Sequence, residues 1–232
     1  MRFILPNLLT LGNLACGSAA IALSYEREWL GFALLIGGAL LLDWLDGFVA
    51  RQLRAESPLG KELDALADLA TFGVAPAFAL YNYLRPWLPE LTYAAEARFT
   101  MILMPFILPL AAAWRLARFN AFPTKSTAFF EGLPTPAQGL FWAAWLLSRP
   151  SGIWLHPIVW NSLILGISLS MISRWPCLSL KTRQNLLPLL LWASAGGLIL
   201  SRFSLSMALV ALLLGYLGIS GLLAYSRQRR SP

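Results

Sequence analysis

All four aspartates of this 232-residue chain fall in one short window: Asp43, Asp46, Asp64 and Asp68. They belong to the string Asp43-x2-Asp46-Gly47-x2-Ala50-Arg51-x8-Gly60-x3-Asp64-x3-Asp68. Carboxylate oxygens are hard ligands that suit Mg²⁺, Mn²⁺ or Ca²⁺. Spacings of three and four place each pair on one helix face. The segment Ala55-Glu56-Ser57-Pro58-Leu59-Gly60 between them reads as a turn. The two helices then form an antiparallel hairpin and the four carboxylates converge. Such groups repel one another unless cations lie between them. Two metals about 3.5–4 Å apart would form a clamp for phosphoryl transfer. Gly47 leaves the helix backbone open to a ligand, Ala50 makes room nearby, and Arg51 can pair with phosphate or carboxylate. A single Asp–Arg pair here reads equally well as a buried salt bridge, and a polar cluster could line a cation or proton pathway. Glu56 and Glu62 offset part of the counter-charge from Arg51, Arg54 and Lys61, which favours metal over a purely structural network.

The elements that must carry this cluster are membrane helices. The chain is 58% hydrophobic and 12% charged, with a mean hydropathy of +0.64, against about 25% charged residues in soluble domains. Backbone in hydrocarbon must satisfy its own hydrogen bonds, and the apolar runs are too long for barrel strands. An ionisable group in such a helix costs on the order of 2.5–3.5 kcal/mol, so clustered aspartates mark a functional site. The pattern predicts an all-α polytopic bundle forming a single domain over residues 1–232. Eight spans are expected, near 8–25, 29–53, 61–84, 98–119, 134–149, 154–173, 185–201 and 203–226. Residues 2–9 are expected to lie flat at the interface. Placing the N-terminus in the cytoplasm puts thirteen Lys and Arg on that side and five on the other, which predicts cytoplasmic termini and a cytoplasmic Asp cluster. The net charge of +7 then reflects topology and anionic phosphate chemistry rather than nucleic-acid binding. Cys16 and Cys177 suggest neither a zinc site nor a disulfide framework, and no cleavable signal peptide is evident. Tryptophans such as Trp29, Trp87, Trp154 and Trp175 read as interface anchors, and His156 falls on the side away from the aspartates.

The Asp string resembles the signature of the CDP-alcohol phosphotransferase family, with all eight fixed positions matched. The resemblance implies a six-helix membrane core, here 1–174, followed by two additional C-terminal helices within 185–226. It implies a homodimer in the inner membrane and two divalent metals, Mg²⁺ or Mn²⁺, at the cytoplasmic face. It further implies that Asp43, Asp46 and Asp64 ligate metal, and that Asp68 assists them and acts as the base on the acceptor hydroxyl. The CDP part of the donor would meet Asn7, Thr10, Gly47, Ala50, Arg51 and Gly60. For Asn7 and Thr10 the competing reading is an ordinary helix start after Pro6.

Further stretches resemble bacterial and archaeal phosphatidylserine synthases: Leu5 to Gly17, Ala67 to Ala77, Arg115 to Asn120 and Glu131 to Ala137. This implies CDP-diacylglycerol and L-serine as substrates. Arg115, Arg118 and Asn120 would contact the serine carboxylate or the donor phosphates, with Glu131 near the serine ammonium. The two arginines also read as positive-inside anchors. Gly73 and Pro76 serve either a kink or the substrate. Thr135 and Gln138 stand where small apolar residues are expected. Glycerol 3-phosphate is the alternative acceptor, since Arg115, Arg118 and Lys125 could hold a second phosphate. Inositol phosphate and choline fit less well. A cation transporter using the Asp cluster is the reading from a different class.

Overall fold

Largely apolar sequence near the start of the chain produces two long helices packed along each other, α1 (Ile4–Tyr25) and α2 (Trp29–Gln52). The protein is described here by a computed structural model covering residues 3–122, 129–149, 152–178, 210–213, 215–218 and 220. The expected flat segment at 2–9 is corrected, because residues 4–9 already belong to α1. Pro6 is tolerated there because first-turn N–H groups have no intrahelical acceptor to lose.

After α2 the chain reverses through Arg54, whose φ is 49°. Ser57 then caps α3 (Pro58–Asp68), its Oγ accepting the Gly60 N–H at 3.0 Å. A π-helical turn at Leu69–Val74 and α4 (Ala75–Leu84) continue the same rod, which runs 30 residues from Pro58 to Trp87. A second composite rod of 27 residues, Ala95–Ala121, contains α5 (Ala95–Leu103) and α6 (Ile107–Ala121). There follow β1 (Phe129–Glu131), α7 (Thr135–Leu147), α8 (Pro157–Ile172) and β2 (Pro176–Leu178).

The protein is therefore a predominantly helical integral membrane protein with four described helices long and apolar enough to cross a bilayer. The spans expected at 134–149 and 154–173 are shorter: α7 has 13 residues and α8 has 16. Proline starts both helical segments, at Pro136 near the start of α7 and at Pro157 in α8, and the chain extends again after Ser173. The span expected at 185–201 lies outside the described residues, as does most of 203–226, where 210–213, 215–218 and 220 are helical. Apart from one short antiparallel ladder, pairing Phe129 with Leu178 and Glu131 with Pro176, the described elements are helical as the all-α expectation has it. Gly132 makes this ladder possible. Its φ is 74°, its N–H donates to the Trp175 carbonyl at 2.9 Å, and a Cβ there would lie 2.4 Å from the Met171 carbonyl oxygen.

The core is aromatic and small-residue in character. Trp142, Trp145 and Trp160 are fully buried, with Trp145 meeting Trp142 at 5.5 Å and Trp160 at 5.8 Å between ring centroids. Trp29 is also buried and meets Tyr83 edge-on at 5.4 Å, so it packs α2 against α4 at this end of the helices. Leu34 and Leu41 on α2 and Leu110 and Trp114 on α6 point outward, as hydrocarbon-facing residues must. Without a hydrophobic drive between helices in lipid, close backbone approach supplies the association. A Cβ on Gly17 would come within 2.7 Å of Thr71 Cα, and one on Gly139 within 2.8 Å of the Phe72 ring. Both glycines thus clamp the π-turn that follows Asp68.

The cause of that turn is Pro76. In an α-helix the residue-76 N–H would donate to the Phe72 carbonyl, and proline has none. The Gln138 side-chain amide of α7 donates to the Phe72 carbonyl oxygen instead. This explains a polar residue at 138, where the sequence suggested a small apolar one. Gly73 approaches Ala112 and Pro109 of α6, so the Gly73–Pro76 stretch shapes the rod.

Candidate metal centre and adjoining clefts

α2 and the α3 rod run antiparallel about the Ser57 turn, and their facing ends carry the aspartates. Asp43, Asp64 and Asp68 converge, with one carboxylate oxygen from each lying within 4.8 Å of the others. Asp64 is in hydrogen-bonding contact with Asp43. Asp68 and Asp46 are buried, at 8% and 6% exposure. Asp46 does not join the trio. Its Oδ2 lies 2.5 Å from Thr10 Oγ1, a hydroxyl that is itself buried. Thr10 Oγ1 also lies 3.1 Å from the Pro6 carbonyl, but its single proton serves the shorter contact to the carboxylate.

This cluster fits a divalent cation. Three oxygen donors share a small volume, and the buried Asp64 Oδ1 has no hydrogen-bond donor among the described residues. A hard cation would supply the charge that three adjacent carboxylates lack.

Sequence reading missed Asn13, whose Nδ2 donates to Asp68 Oδ1 at 3.4 Å. The signal was available: Asn7, Thr10 and Asn13 recur every three residues in an otherwise apolar helix. Thr71, one turn beyond Asp68, donates to the Asn13 carbonyl at 3.1 Å and ties the two helices at this level.

A cleft of about 140 Å³ opens beside the cluster. Asn7, Thr10, Gly47, Ala50, Arg51 and Gly60 all line it, with Asp46 and Asp64 on its wall. The space at Gly47 is taken by Arg51, whose guanidinium would lie 3.3 Å from a Cβ there. Gly60 faces Asn7 in the same way, with 3.3 Å to its Oδ1. The helix backbone at Gly47 is thus covered by a flexible cation, not left bare as the sequence suggested.

A second cleft, of about 230 Å³, is lined by Arg115, Arg118, Phe119, Phe122, Glu131 and Arg174. Arg115 is 8% exposed, donates to Thr135 Oγ1 at 3.0 Å, and has a shielded Nε with no acceptor among the described residues. Its charge is felt at Asp68, so it connects this cleft to the carboxylates. Thr135, which looked out of place in sequence, therefore positions an arginine. Arg118 donates to the Ile172 and Ser173 carbonyls at 2.6 and 3.2 Å, closing the C-terminal end of α8. Arg174 went unnoticed in sequence beyond its contribution to the basic count.

Asn120 is not with these arginines. It lies in a groove with Glu62, Ala65 and Ala113. Two residues beyond Arg118 is a rotation of about 200° around a helix, which turns it to another face. Lys125 lies outside the described residues. His156 caps α8, accepting the Ile158 N–H at 3.4 Å, and takes no part in the site.

Residues 3–172 match the family described as CDP-alcohol phosphatidyltransferase. The chain is 34% identical over 188 residues to a CDP-diacylglycerol–serine O-phosphatidyltransferase of Mycobacterium leprae, covering 77% of this chain and 59% of that relative. The corresponding Bacillus subtilis enzyme is 36% identical over 140 residues, 60% of this chain and 73% of the relative. An archaetidylserine synthase of Methanothermobacter thermautotrophicus is 34% identical over 138 residues, 59% of this chain and 54% of the relative. The chain thus spans about three fifths of the length of the mycobacterial relative and about three quarters of the Bacillus one. The family match extends from the start of α1 to the end of α8 and includes every residue of both clefts except Arg174; on this match the chain belongs to the CDP-alcohol phosphatidyltransferase family.

Proposed function

We propose that the protein transfers a phosphatidyl group from CDP-diacylglycerol to L-serine, giving phosphatidylserine and CMP. The observation that carries this reading is the convergence of Asp43, Asp64 and Asp68 between two clefts of different character. The cleft at Arg51 takes the CDP part of the donor, using Asn7, Thr10, Gly47, Ala50 and Gly60. The arginine cleft takes the acceptor. Its acid, Glu131, suits an ammonium, and Arg115 or Arg174 suits a carboxylate. That pairing of opposite charges favours an amino acid over glycerol 3-phosphate, for which Glu131 would be a repulsive neighbour. The names of the relatives point to the same acceptor. Membership in this family displaces the transporter reading.

Asp43, Asp64 and Asp68, with Asp46 beside them at Thr10, would hold two divalent cations, Mg²⁺ or Mn²⁺. When bound, these neutralise the donor diphosphate and the departing CMP. Asn13 orients the Asp68 carboxylate, and Thr10 fixes Asp46. The serine hydroxyl oxygen forms a bond to the lipid-bearing phosphorus as the bridging P–O bond to CMP breaks. Asp68 takes the hydroxyl proton as attack proceeds and later returns it to solvent. Arg115 balances charge beside Asp68.

The architecture we propose is a six-helix catalytic core over 1–174 with two further membrane helices within 185–226. The whole forms one domain with eight crossings, cytoplasmic termini and a cytoplasmic active site in the inner membrane, and the protein works as a homodimer. The test is CMP release by the purified protein with CDP-diacylglycerol and Mg²⁺ or Mn²⁺, supplying L-serine, glycerol 3-phosphate or inositol phosphate separately. Release with serine alone, lost on chelation, is expected. Release with glycerol 3-phosphate alone would overturn the assignment of the arginine cleft while keeping the metal centre.

A further inference from the structure

A second basic cavity lies at the opposite end of the helices. Its volume is about 460 Å³, and it is lined by Arg27, Trp29, Tyr83, Trp87 and Arg149, within the roughly 300–1,000 Å³ usual for small-molecule sites. Trp29 precedes Asp46 by 17 residues on α2, a separation of about 26 Å at 1.5 Å per residue. This cavity therefore faces the other surface of the bilayer and is separate from the Asp cluster.

Its chemistry is one-sided. Arg27 closes the turn between α1 and α2, and Arg149 follows α7, yet both guanidinium charges are felt at the hydroxyl of the buried Tyr83. Each arginine adopts a left-handed backbone, with φ of 62° and 50°. That conformation ends α1 and α7, as it ends α2 at Arg54, and it fixes where both side chains leave the backbone. The Trp87 indole N–H at the cavity wall is shielded from solvent and has no acceptor among the described residues. Among those residues, no carboxylate lines the cavity. Two planar forks of donors, an orphan indole donor and three amphipathic rings describe a site for an oxyanion at headgroup depth.

We infer that this cavity binds a phosphate group, supplied either by a phospholipid headgroup of the outer leaflet or by free inorganic phosphate. Two guanidinium forks can together meet three oxygens of one phosphate, where a carboxylate offers only two, and the rings accommodate the glycerol or acyl linkage of a lipid. The inference stands apart from the proposed reaction, because none of these residues belongs to either cleft near the aspartates.

The experiment compares the full-length protein with Arg27→Gln/Arg149→Gln. Lipid retention is read by native mass spectrometry after extraction from phosphatidylglycerol nanodiscs. Phosphate binding is read by calorimetry in detergent at constant ionic strength. A lipid source predicts one retained phosphatidylglycerol per chain in the wild type, reduced at least tenfold in the variant, with no phosphate heat. A free-phosphate source predicts saturable heat lost in the variant. Equal lipid retention in both proteins together with no phosphate heat would overturn the inference. Should the double variant melt early, Arg149→Lys decides. It keeps the charge and removes the fork, and it should weaken whichever binding is seen; unchanged binding rejects the site.

Discussion

Asp68 is the residue on which the chemistry turns, because it combines burial, a dedicated donor and a neighbouring cation. Replacing it with Asn keeps the volume and removes the base. Turnover should fall by about 10²–10⁴-fold, the range general-base catalysis supplies, while donor binding, followed by displacement of a labelled CDP-lipid, persists. A variant with wild-type rate would remove Asp68 from that role. Asn13→Leu is the subtler test. It removes the group that orients Asp68, so kcat should drop by about tenfold, in line with the loss of one hydrogen bond to a charged group. The KM for serine should stay close to wild type. A change confined to KM would mean that Asn13 contacts substrate instead. The aspartates were legible in sequence because a charge in an apolar helix is costly and persists where function requires it. Asn13 was not singled out because its recurrence with Asn7 and Thr10 is also compatible with simple helix packing, and its distance to Asp68 decides between the two. Arg118 lines the arginine cleft, where its type and spacing suggested a ligand, and its donors also reach the backbone at the end of α8.

The π-turn begins directly after Asp68 and joins α3 to α4. Its shape depends on Pro76 withholding a donor and on Gln138 replacing it from another helix. Gln138→Leu leaves the buried Phe72 carbonyl without a donor, so stability should fall by about 1–3 kcal/mol, read as a lower melting temperature in detergent. Pro76→Ala restores a backbone N–H one turn away. In the Gln138→Leu background it should recover part of that loss, whereas alone it gives little gain, because Gln138 already serves the carbonyl. The double-mutant cycle therefore has a sign as well as a size; strict additivity would separate the two residues. This coupling could not be read from sequence. Proline at 76 announces a break in the rod, but not which side chain, 62 residues away, repairs it. The long spans were legible because continuous apolar runs leave the backbone no alternative to helix. The shortness of α7 and α8 was not, since hydropathy continues past the residues at which Pro157 and the extended chain after Ser173 set their ends.

At the scale of the whole molecule, two basic cavities sit at opposite ends of one bundle, and among the described residues only one adjoins carboxylates. The excess of Lys and Arg on the Asp side predicts that this side faces the cytoplasm. The prediction can be read by labelling single cysteines. Leu59, exposed at the start of α3, marks the Asp end, and Glu90, exposed beyond Trp87, marks the other. A Cys16→Ala background removes the half-buried thiol of α1. Cys177 can remain, because it is buried and burial pushes its thiol up to about 11, so it stays protonated and unreactive at neutral pH. In intact cells an impermeant maleimide should label Glu90→Cys and spare Leu59→Cys; inverted vesicles should give the opposite pattern. The reverse result would place the metal centre outside, away from a cytoplasmic supply of CDP-linked donor, and would undo the proposed orientation and with it the placement of the phosphate cavity in the outer leaflet.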